Sequence, residues 1–316
     1  MKSHFLTALQ HITVPGDLGR GDRLNDDLFL TNNANVLDKI LRPEVGHIIG
    51  ILESTALKKA KAVVYSNEEL PEDTDRHAHL QRRLEEVAAF QHTLWLWKDN
   101  CVDNELGFLV SYAKAGLSVE SNYLVQRYSL STGKIGTIEF TREDLKIIRR
   151  YFREQMVREF SEDRPPTFMT TDVNRVSRAL FLAQSARIAG DLGFKIAGYC
   201  GALEALLTTS QSELAHQMSE RAAFLIAENA KERTETYATL KKAYEVRSKI
   251  VHGGYIKGAK VTDLALLSTA CDEIVRRCLQ KVLGSTEMSH LFAGSQEELD
   301  AFLLDIIFGR SGVITT

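Results

Sequence analysis

The spacing of apolar residues changes about halfway along the chain. In the first half, short apolar runs bounded by turn residues predict strands, and one long segment at residues 75–98 repeats its apolar residues at helical spacing. The predicted strands are Phe5–Val14, Asp27–Thr31, Lys61–Tyr65, Leu106–Tyr112, Ser121–Tyr128 and Lys134–Phe140. The order of these elements predicts an α+β N-terminal domain over residues 1–163, with antiparallel strands plus helices. Thr141 and Asp144 are placed to cap a last helix that runs to about Phe160.

The second half is helical by the same criterion. A charged stretch with two prolines, Glu162–Thr167, predicts a linker before it. We expect a first helix from about Thr171 to Leu207, bent near residues 190–193, and a second that begins at a capping box of Ser210 and Glu213. Three more follow at residues 234–251, from residue 262 onwards, and at residues 299–308, the last of them capped by Ser295. The pattern predicts an all-α helical bundle over residues 168–316.

Composition is that of an ordinary soluble protein. Of the 316 residues, 44% are hydrophobic and 26% are charged, and the net charge is −3, which argues against non-specific binding of nucleic acid over the whole surface. The four cysteines form no CxxC pair, so we expect buried, reduced thiols. No apolar run is long enough for a membrane span, and the N-terminus does not resemble a leader peptide, so we expect a cytoplasmic protein with no membrane partner.

Candidate chemistry is concentrated in the segment Tyr244–Gly253. Arg247 lies within the apolar stripe of its predicted helix, where a guanidinium needs an anionic partner such as a carboxylate or a phosphate. His252 precedes two glycines, which predict that the helix ends there. Residues five apart on a helix point about 140° away from each other. Arg247 and His252 therefore meet one ligand only if the backbone leaves the helix near His252, or if a second subunit brings them together.

An arginine and a histidine together are sufficient for metal-free RNA cleavage, since one holds phosphoryl oxygens and the other moves protons. A structural interpretation stays open beside this one: Arg247 pairs with a carboxylate, for which Glu204 is the natural candidate, and His252 caps its helix. Arg221 either contacts RNA phosphates or forms an ordinary ion pair, within its helix or between helices. No metal or cofactor is expected, because His77 and His79 do not share a helical face. The charged run at residues 81–86 is expected to form a solvated helical face.

Three segments, in this order, resemble the HEPN superfamily, specifically its Apea-like branch associated with bacterial abortive infection and phage defence. They are Ala202–Thr208, Ser219–Leu225 and Leu240–Gly253. The similarity spans about residues 170–285, and no such resemblance covers the N-terminal half.

The resemblance implies a bundle that forms a homodimer and brings two Arg-x4-His motifs to a shared cleft, with RNA as the partner. Active relatives are metal-independent endoribonucleases, so Arg247 and His252 take the catalytic positions, and the products would end in 2′,3′-cyclic phosphate. Many active members have Asn, Asp or His directly after the arginine, where this chain has Ser248, which still offers a hydroxyl. Ser248, Glu204 and Arg221 are then supporting residues.

Three functions follow from the sequence. In the first, the protein is a ribonuclease toxin or defence effector, and the N-terminal domain senses a trigger or restrains the nuclease, with a regulatory or antitoxin partner. In the second, the bundle is a non-catalytic HEPN module that binds RNA or a partner protein. In the third, it is purely a structural dimerisation bundle.

Overall fold

The computed structural model describes residues 1–124, 126–153, 167–170, 173–258 and 260–310. The chain divides into two compact units. Unit 1 consists of Met1–Tyr128 and Ile135–Arg164, and unit 2 consists of Ser129–Lys134 and Pro165–Thr316. Unit 1 contains an antiparallel sheet with helices and unit 2 is helical, so the coarse α+β and all-α architecture is as expected. The predicted linker residues 162–166 lie outside the described ranges.

Nine strands are described in unit 1. They are β1 (Lys2–Gln10), β2 (Ile12–Thr13), β3 (Asp22–Arg23), β4 (Leu28–Thr31), β5 (Val63–Ser66), β6 (Glu68–Glu69), β7 (Asp103–Ala113), β8 (Gly116–Asn122) and β9 (Ile138–Glu139). The main sheet has the order β3-β4-β5-β1-β7-β8, with β6 also paired to β1, and all of its pairs are antiparallel. A separate parallel pair joins β2 to β9. The central strand β1 is almost fully buried, which suits a strand covered on both faces.

Three of the predicted strands were wrong in extent. The strand predicted at Phe5–Val14 is interrupted at His11, because β1 ends at Gln10 and Ile12–Thr13 forms the separate strand β2. Strand β8 begins at Gly116 and ends at Asn122, whereas the sequence pattern placed a strand at residues 121–128. The reason is a two-residue turn: Ala113 pairs directly with Gly116, so pairing with β7 starts earlier than the apolar pattern suggests. In the last predicted strand, Lys134–Phe140, only Ile138–Glu139 is paired, and its first residue, Lys134, belongs to unit 2.

Five described helices accompany the sheet. They are α1 (Ala34–Ile40), α2 (Pro43–Ile49), α3 (Ile51–Lys59), α4 (Arg76–Trp97) and α5 (Arg142–Tyr151). Helix α4 confirms the predicted helical segment: the Asp75 side chain accepts from the Ala78 amide at 3.0 Å, and its apolar face packs on β7. Thr141 and Asp144 form the predicted capping box of α5. The predicted continuation of this helix over residues 154–160 lies outside the described part of the chain.

The charged run on α4 is not simply a solvated face. Arg83 is buried and donates hydrogen bonds to Glu68, Glu86 and Asp27 at 2.7–3.1 Å. His79 is buried as well, with its Nε2 atom 3.0 Å from Glu68. A buried guanidinium needs such anionic partners, and two of the three are far away in sequence, so the local pattern of charges did not reveal the network.

Seven helices are described in unit 2. They are α6 (Arg175–Ile188), α7 (Leu192–Leu207), α8 (Leu214–Ile226), α9 (Ala230–Val251), α10 (Val261–Leu283), α11 (Thr286–Ala293) and α12 (Gln296–Ile307). Their buried residues include Leu203, Leu240 and Cys278, on three helices that contact one another. All four cysteines are buried and none forms a disulfide, as predicted. Among the described helices, none combines the length and the apolar character that a membrane crossing requires.

Helix boundaries in unit 2 correct two predictions. The predicted first helix is two helices, because Asp191 accepts from the Phe194 amide at 3.1 Å and starts α7 as a separate helix. The capping box of Ser210 and Glu213 does not form: Glu213 adopts a left-handed conformation with φ of 51°, and Ser210 accepts a hydrogen bond from Gln217 instead. Ser295 does cap the last helix, as predicted.

Candidate functional site

The end of α9 presents His252 to solvent. Gly253 has φ of +69° and donates its amide to Ile250 at 3.1 Å, and Gly254 donates to Lys249 at 2.7 Å. These two hydrogen bonds form a Schellman motif, in which His252 is the C-cap residue. The paired glycines therefore end the helix as predicted. His252 is exposed, with its backbone held and its imidazole available to a ligand.

Arg247 lies one turn earlier on the same helix. Its Nη2 atom donates to the Glu204 Oε2 atom at 3.1 Å, which confirms the predicted partner on α7. The guanidinium also lies over the Tyr244 ring, 5.2 Å from its centre, in a cation–π contact. A quarter of the Arg247 side chain remains accessible. The guanidinium is thus oriented from two sides and still reachable from solvent.

Glu204 is buried enough for its charge to be costly. Burial raises the pKa of Glu204, and the charge and hydrogen bond of Arg247 oppose that rise. Its second oxygen, Oε1, is buried and accepts no hydrogen bond from the described residues. A carboxylate that accepts a hydrogen bond from an arginine through one oxygen, while its other oxygen is buried, is suited to orienting that arginine. The structure therefore shows Glu204 as the ion-pair partner that contacts Arg247 from α7.

Within one copy of the chain, the side chains of Arg247 and His252 do not point towards a common ligand. His252 keeps a nearly helical backbone, with φ of −91° and ψ of 12°, and its amide bonds to the Ser248 carbonyl at 3.3 Å. The direction of its side chain thus still follows the helical period, about 140° from Arg247. Ser248, which directly follows Arg247 in the sequence, is partly buried. One copy offers a guanidinium that is a quarter exposed and, separately, an exposed imidazole at the end of the helix.

Arg221 lies in a different cluster. Its guanidinium donates to the Leu207 carbonyl and the Thr209 hydroxyl, both at 2.8 Å, and to Asp300 at 2.5 Å. These contacts join the start of α12 to the end of α7, and they correspond to the interhelix ion pair weighed above. The side chain is 8% exposed, so its donors are directed into the protein.

Two features of the site were not anticipated from the sequence. Arg175 of α6 donates to the carbonyls of Leu206 and Thr208, so the end of the helix that carries Glu204 is held by two arginines. In addition, several apolar residues close to His252 in sequence, from the last residue of α9 to the second turn of α10, are exposed. These residues are Val251, Tyr255, Val261 and Leu266. Their hydrophobicity was visible in the sequence, but only the fold shows that nothing in the described chain covers them.

Across the described ranges, no group of three or more His, Cys, Asp or Glu side chains is placed to hold a metal ion. Comparison with family models, with curated proteins and with solved structures finds no match to this chain.

Proposed function

We propose that unit 2 is a metal-independent endoribonuclease of the HEPN type, with Arg247 and His252 as its catalytic residues and a toxin or phage-defence role. The observation that carries the proposal is the state of Arg247. Its guanidinium is fixed by Glu204 and Tyr244, yet a quarter of the side chain is exposed and most of its N–H donors remain for a ligand. A fixed, accessible guanidinium is suited to a phosphodiester, whose oxygens it binds in bidentate fashion.

The reaction needs two proton transfers and stabilisation of charge. The ribose 2′-oxygen attacks phosphorus, the bond from phosphorus to the 5′-oxygen breaks, and a 2′,3′-cyclic phosphate forms. A proton leaves the 2′-hydroxyl and another reaches the departing 5′-oxygen, and a histidine exchanges protons readily near neutral pH. His252 takes this role, while Arg247 stabilises the negative charge that develops on the phosphoryl oxygens.

A second copy of the chain completes this site. Arg247 and His252 point in different directions along one helix, so one ligand reaches both more easily across two copies than within one. The exposed Val251, Tyr255, Val261 and Leu266 flank His252 in sequence and supply apolar surface for such a contact. The resemblance to HEPN bundles, which dimerise through this region, supports the same arrangement.

A non-catalytic module that binds RNA or a partner protein is the second candidate. The observation that favours it is that Arg247 already has a carboxylate and a ring as partners, while His252 has a helix-capping position. In that case Arg247 contributes affinity for phosphate and His252 contributes little.

Purified protein incubated with mixed cellular RNA in EDTA separates the two candidates. Wild type is compared with His252→Ala and with a control, His216→Ala, which removes another partly exposed histidine of unit 2. The nuclease proposal predicts cleavage by wild type and by His216→Ala, and none by His252→Ala. Mixing His252→Ala with Arg247→Ala restores part of the activity if each site draws on two copies. RNA binding without cleavage by any of these proteins, with and without a candidate activator, supports the binding module instead.

A further inference from the structure

Unit 1 carries a groove that the proposed nuclease does not use. It consists of three neighbouring hollows of about 450, 510 and 580 Å³. The first two share Gln10 and His11 as lining residues, and the second and third share Thr13, Lys59 and Lys61. Each hollow has the size of a small-molecule site. We call the three together the β1-end groove, because they meet where strand β1 ends.

The two ends of the β1-end groove differ in chemistry. The first hollow is lined by Tyr123, whose surface is 55% exposed, and by Arg127, Asp103 and Glu105. This end offers an aromatic face together with hydrogen-bonding groups of both charges.

The third hollow is lined by three lysines. Lys58 forms an exposed ion pair with Asp38 at 2.8 Å, whereas Lys59 and Lys61 make no ion pair within the described part of the chain. Ammonium groups without a carboxylate partner favour an anion, and phosphate oxygens accept charge-assisted hydrogen bonds from lysine.

His11 lies at the junction between the aromatic end and the lysine end. Its φ is +58°, and among the described residues only one other non-glycine residue has a left-handed backbone. The strain allows the His11 carbonyl to accept from the Ile138 amide at 3.0 Å, beside the β2–β9 pair. Glycine would make that hydrogen bond without strain, so the backbone alone gives no reason for an imidazole here. A residue with a strained backbone that lines two of the hollows points to a role for its side chain.

We infer that the β1-end groove binds a nucleoside phosphate, either a free nucleotide or the 5′-terminal nucleotide of an RNA chain. The base stacks on Tyr123, and Gln10 and Glu105 are available to its polar edge. His11 contacts the middle of the ligand, and the phosphates reach Lys59 and Lys61. The carboxylates at the aromatic end repel phosphate, so the ligand has one favoured direction. This site is independent of the nuclease proposed for unit 2.

Calorimetric titration of the full chain tests this site. The probes are ATP and GTP for a free nucleotide, and a 2′-O-methyl oligonucleotide with a 5′-phosphate, which cannot be cleaved, for a chain end. Adenosine and inorganic triphosphate each supply only half of the proposed ligand. We expect one of the complete probes to bind at least tenfold more tightly than either half.

Three variants assign the binding to the groove. Lys59→Gln with Lys61→Gln should weaken binding at least tenfold, and the matched double variant Lys39→Gln with Lys114→Gln, which removes two exposed charges elsewhere in unit 1, should not. His11→Gly should weaken binding while its melting temperature stays equal to wild type or rises, since the strain is relieved. That opposite movement of affinity and stability cannot come from partial unfolding.

The site is overturned if no complete probe binds below millimolar concentration. It is also overturned if inorganic triphosphate binds as tightly as the nucleotides, since the groove is then an anion patch only. Equal binding by His11→Gly, the lysine double variant and wild type would place the ligand elsewhere. Binding of nucleotides, or of the oligonucleotide alone, supports the site and decides between its two sources.

Discussion

The ion pair between Arg247 and Glu204 should respond asymmetrically to the loss of either partner. Arg247→Met leaves a buried carboxylate with no positive charge beside it and with a second oxygen that already lacks a hydrogen bond. Glu204→Gln leaves a guanidinium that is a quarter exposed and that water can solvate. We therefore expect Arg247→Met to lower the free energy of unfolding more than Glu204→Gln does.

The magnitude follows from how deeply the pair is buried. Exposed pairs contribute at most about 1 kcal/mol, and breaking a fully buried pair costs about 3–5 kcal/mol. The side chains here are 25% and 14% exposed, between those limits. We expect a loss of about 2 kcal/mol for Arg247→Met and a change within about 1 kcal/mol for Glu204→Gln. On the same helix, Lys231→Met breaks the exposed Lys231–Glu235 pair and should change stability by less than about 0.5 kcal/mol.

The loss should also depend on pH in a definite direction. Burial raises the pKa of Glu204 in the folded state, with Arg247 opposing part of that rise, so removing Arg247 raises this pKa further. A carboxyl with a raised folded pKa is most favourable to the fold at low pH, and that stability is lost as the pH rises through the folded pKa. The difference between wild type and Arg247→Met should therefore shrink as the pH falls towards 4.5, the ordinary value for a glutamate.

Urea unfolding of wild type, Arg247→Met, Glu204→Gln and Lys231→Met at neutral and acidic pH measures both effects. The reasoning is refuted if Glu204→Gln is the more destabilising change, or if the loss in Arg247→Met does not vary with pH. Either result would mean that Glu204 is not held as a charged partner of Arg247.

Three further changes have defined outcomes. Gly198→Ala should lower the free energy of unfolding in urea by about 1–3 kcal/mol, because its new methyl group would lie 2.8 Å from a side chain of α6. Gly201→Ala is the control: its methyl group would have no neighbour nearer than 3.7 Å, so this change should be neutral or stabilise by up to about 1 kcal/mol. Arg221→Met should cost about 2 kcal/mol because Asp300 and a helix-end carbonyl lose their donor, while a filter-binding assay finds the RNA affinity of the folded protein unchanged. Burial alone would raise the pKa of Glu68, but its contacts with His79, Arg83 and Ser66 lower this pKa to about 2. The charged carboxylate therefore stabilises the fold fully above pH 4.5, and this stabilisation is lost as the pH falls towards 2. When the free energy of unfolding is measured across this acid range, Glu68→Gln should lose about 3 kcal/mol less than wild type does.

Local signals in the sequence were sufficient where the structure depends on neighbouring residues. The helix that ends at the paired glycines and the capping box at Thr141 were both predicted, because caps and stops are formed by side chains within a few residues. The partner of Arg247 was also found, since an arginine on an apolar stripe needs a carboxylate and Glu204 stood within another apolar stripe.

Long-range arrangements were not accessible to the same reasoning. Arg83 was assigned to a solvated face because its partners Asp27 and Glu68 are distant in sequence. The strand predicted at residues 134–140 included Lys134, which the fold assigns with Ser129–Lys134 to unit 2, where Ser268 donates to the Ser131 carbonyl at 2.6 Å. Which segment joins which unit depends on such contacts, and hydrophobic periodicity does not encode them.

The strained backbone of His11 was likewise invisible in the sequence, where this residue lies inside the predicted strand Phe5–Val14 with no turn residue beside it. The neighbouring hollows of the β1-end groove are lined by residues from segments that are far apart, so the groove exists only in the folded unit. The HEPN function, in contrast, was proposed from the sequence, and the geometry of Arg247 adds a physical reason for it.

The chemistry of the RNA ends produced in EDTA tests the central claim most directly. Wild-type protein should leave 2′,3′-cyclic phosphate and 5′-hydroxyl ends, and His252→Ala should leave the RNA intact at the same protein concentration. Products with 3′-hydroxyl ends, or equal cleavage by His252→Ala, would contradict a metal-free mechanism in which Arg247 holds the phosphate and His252 moves the protons.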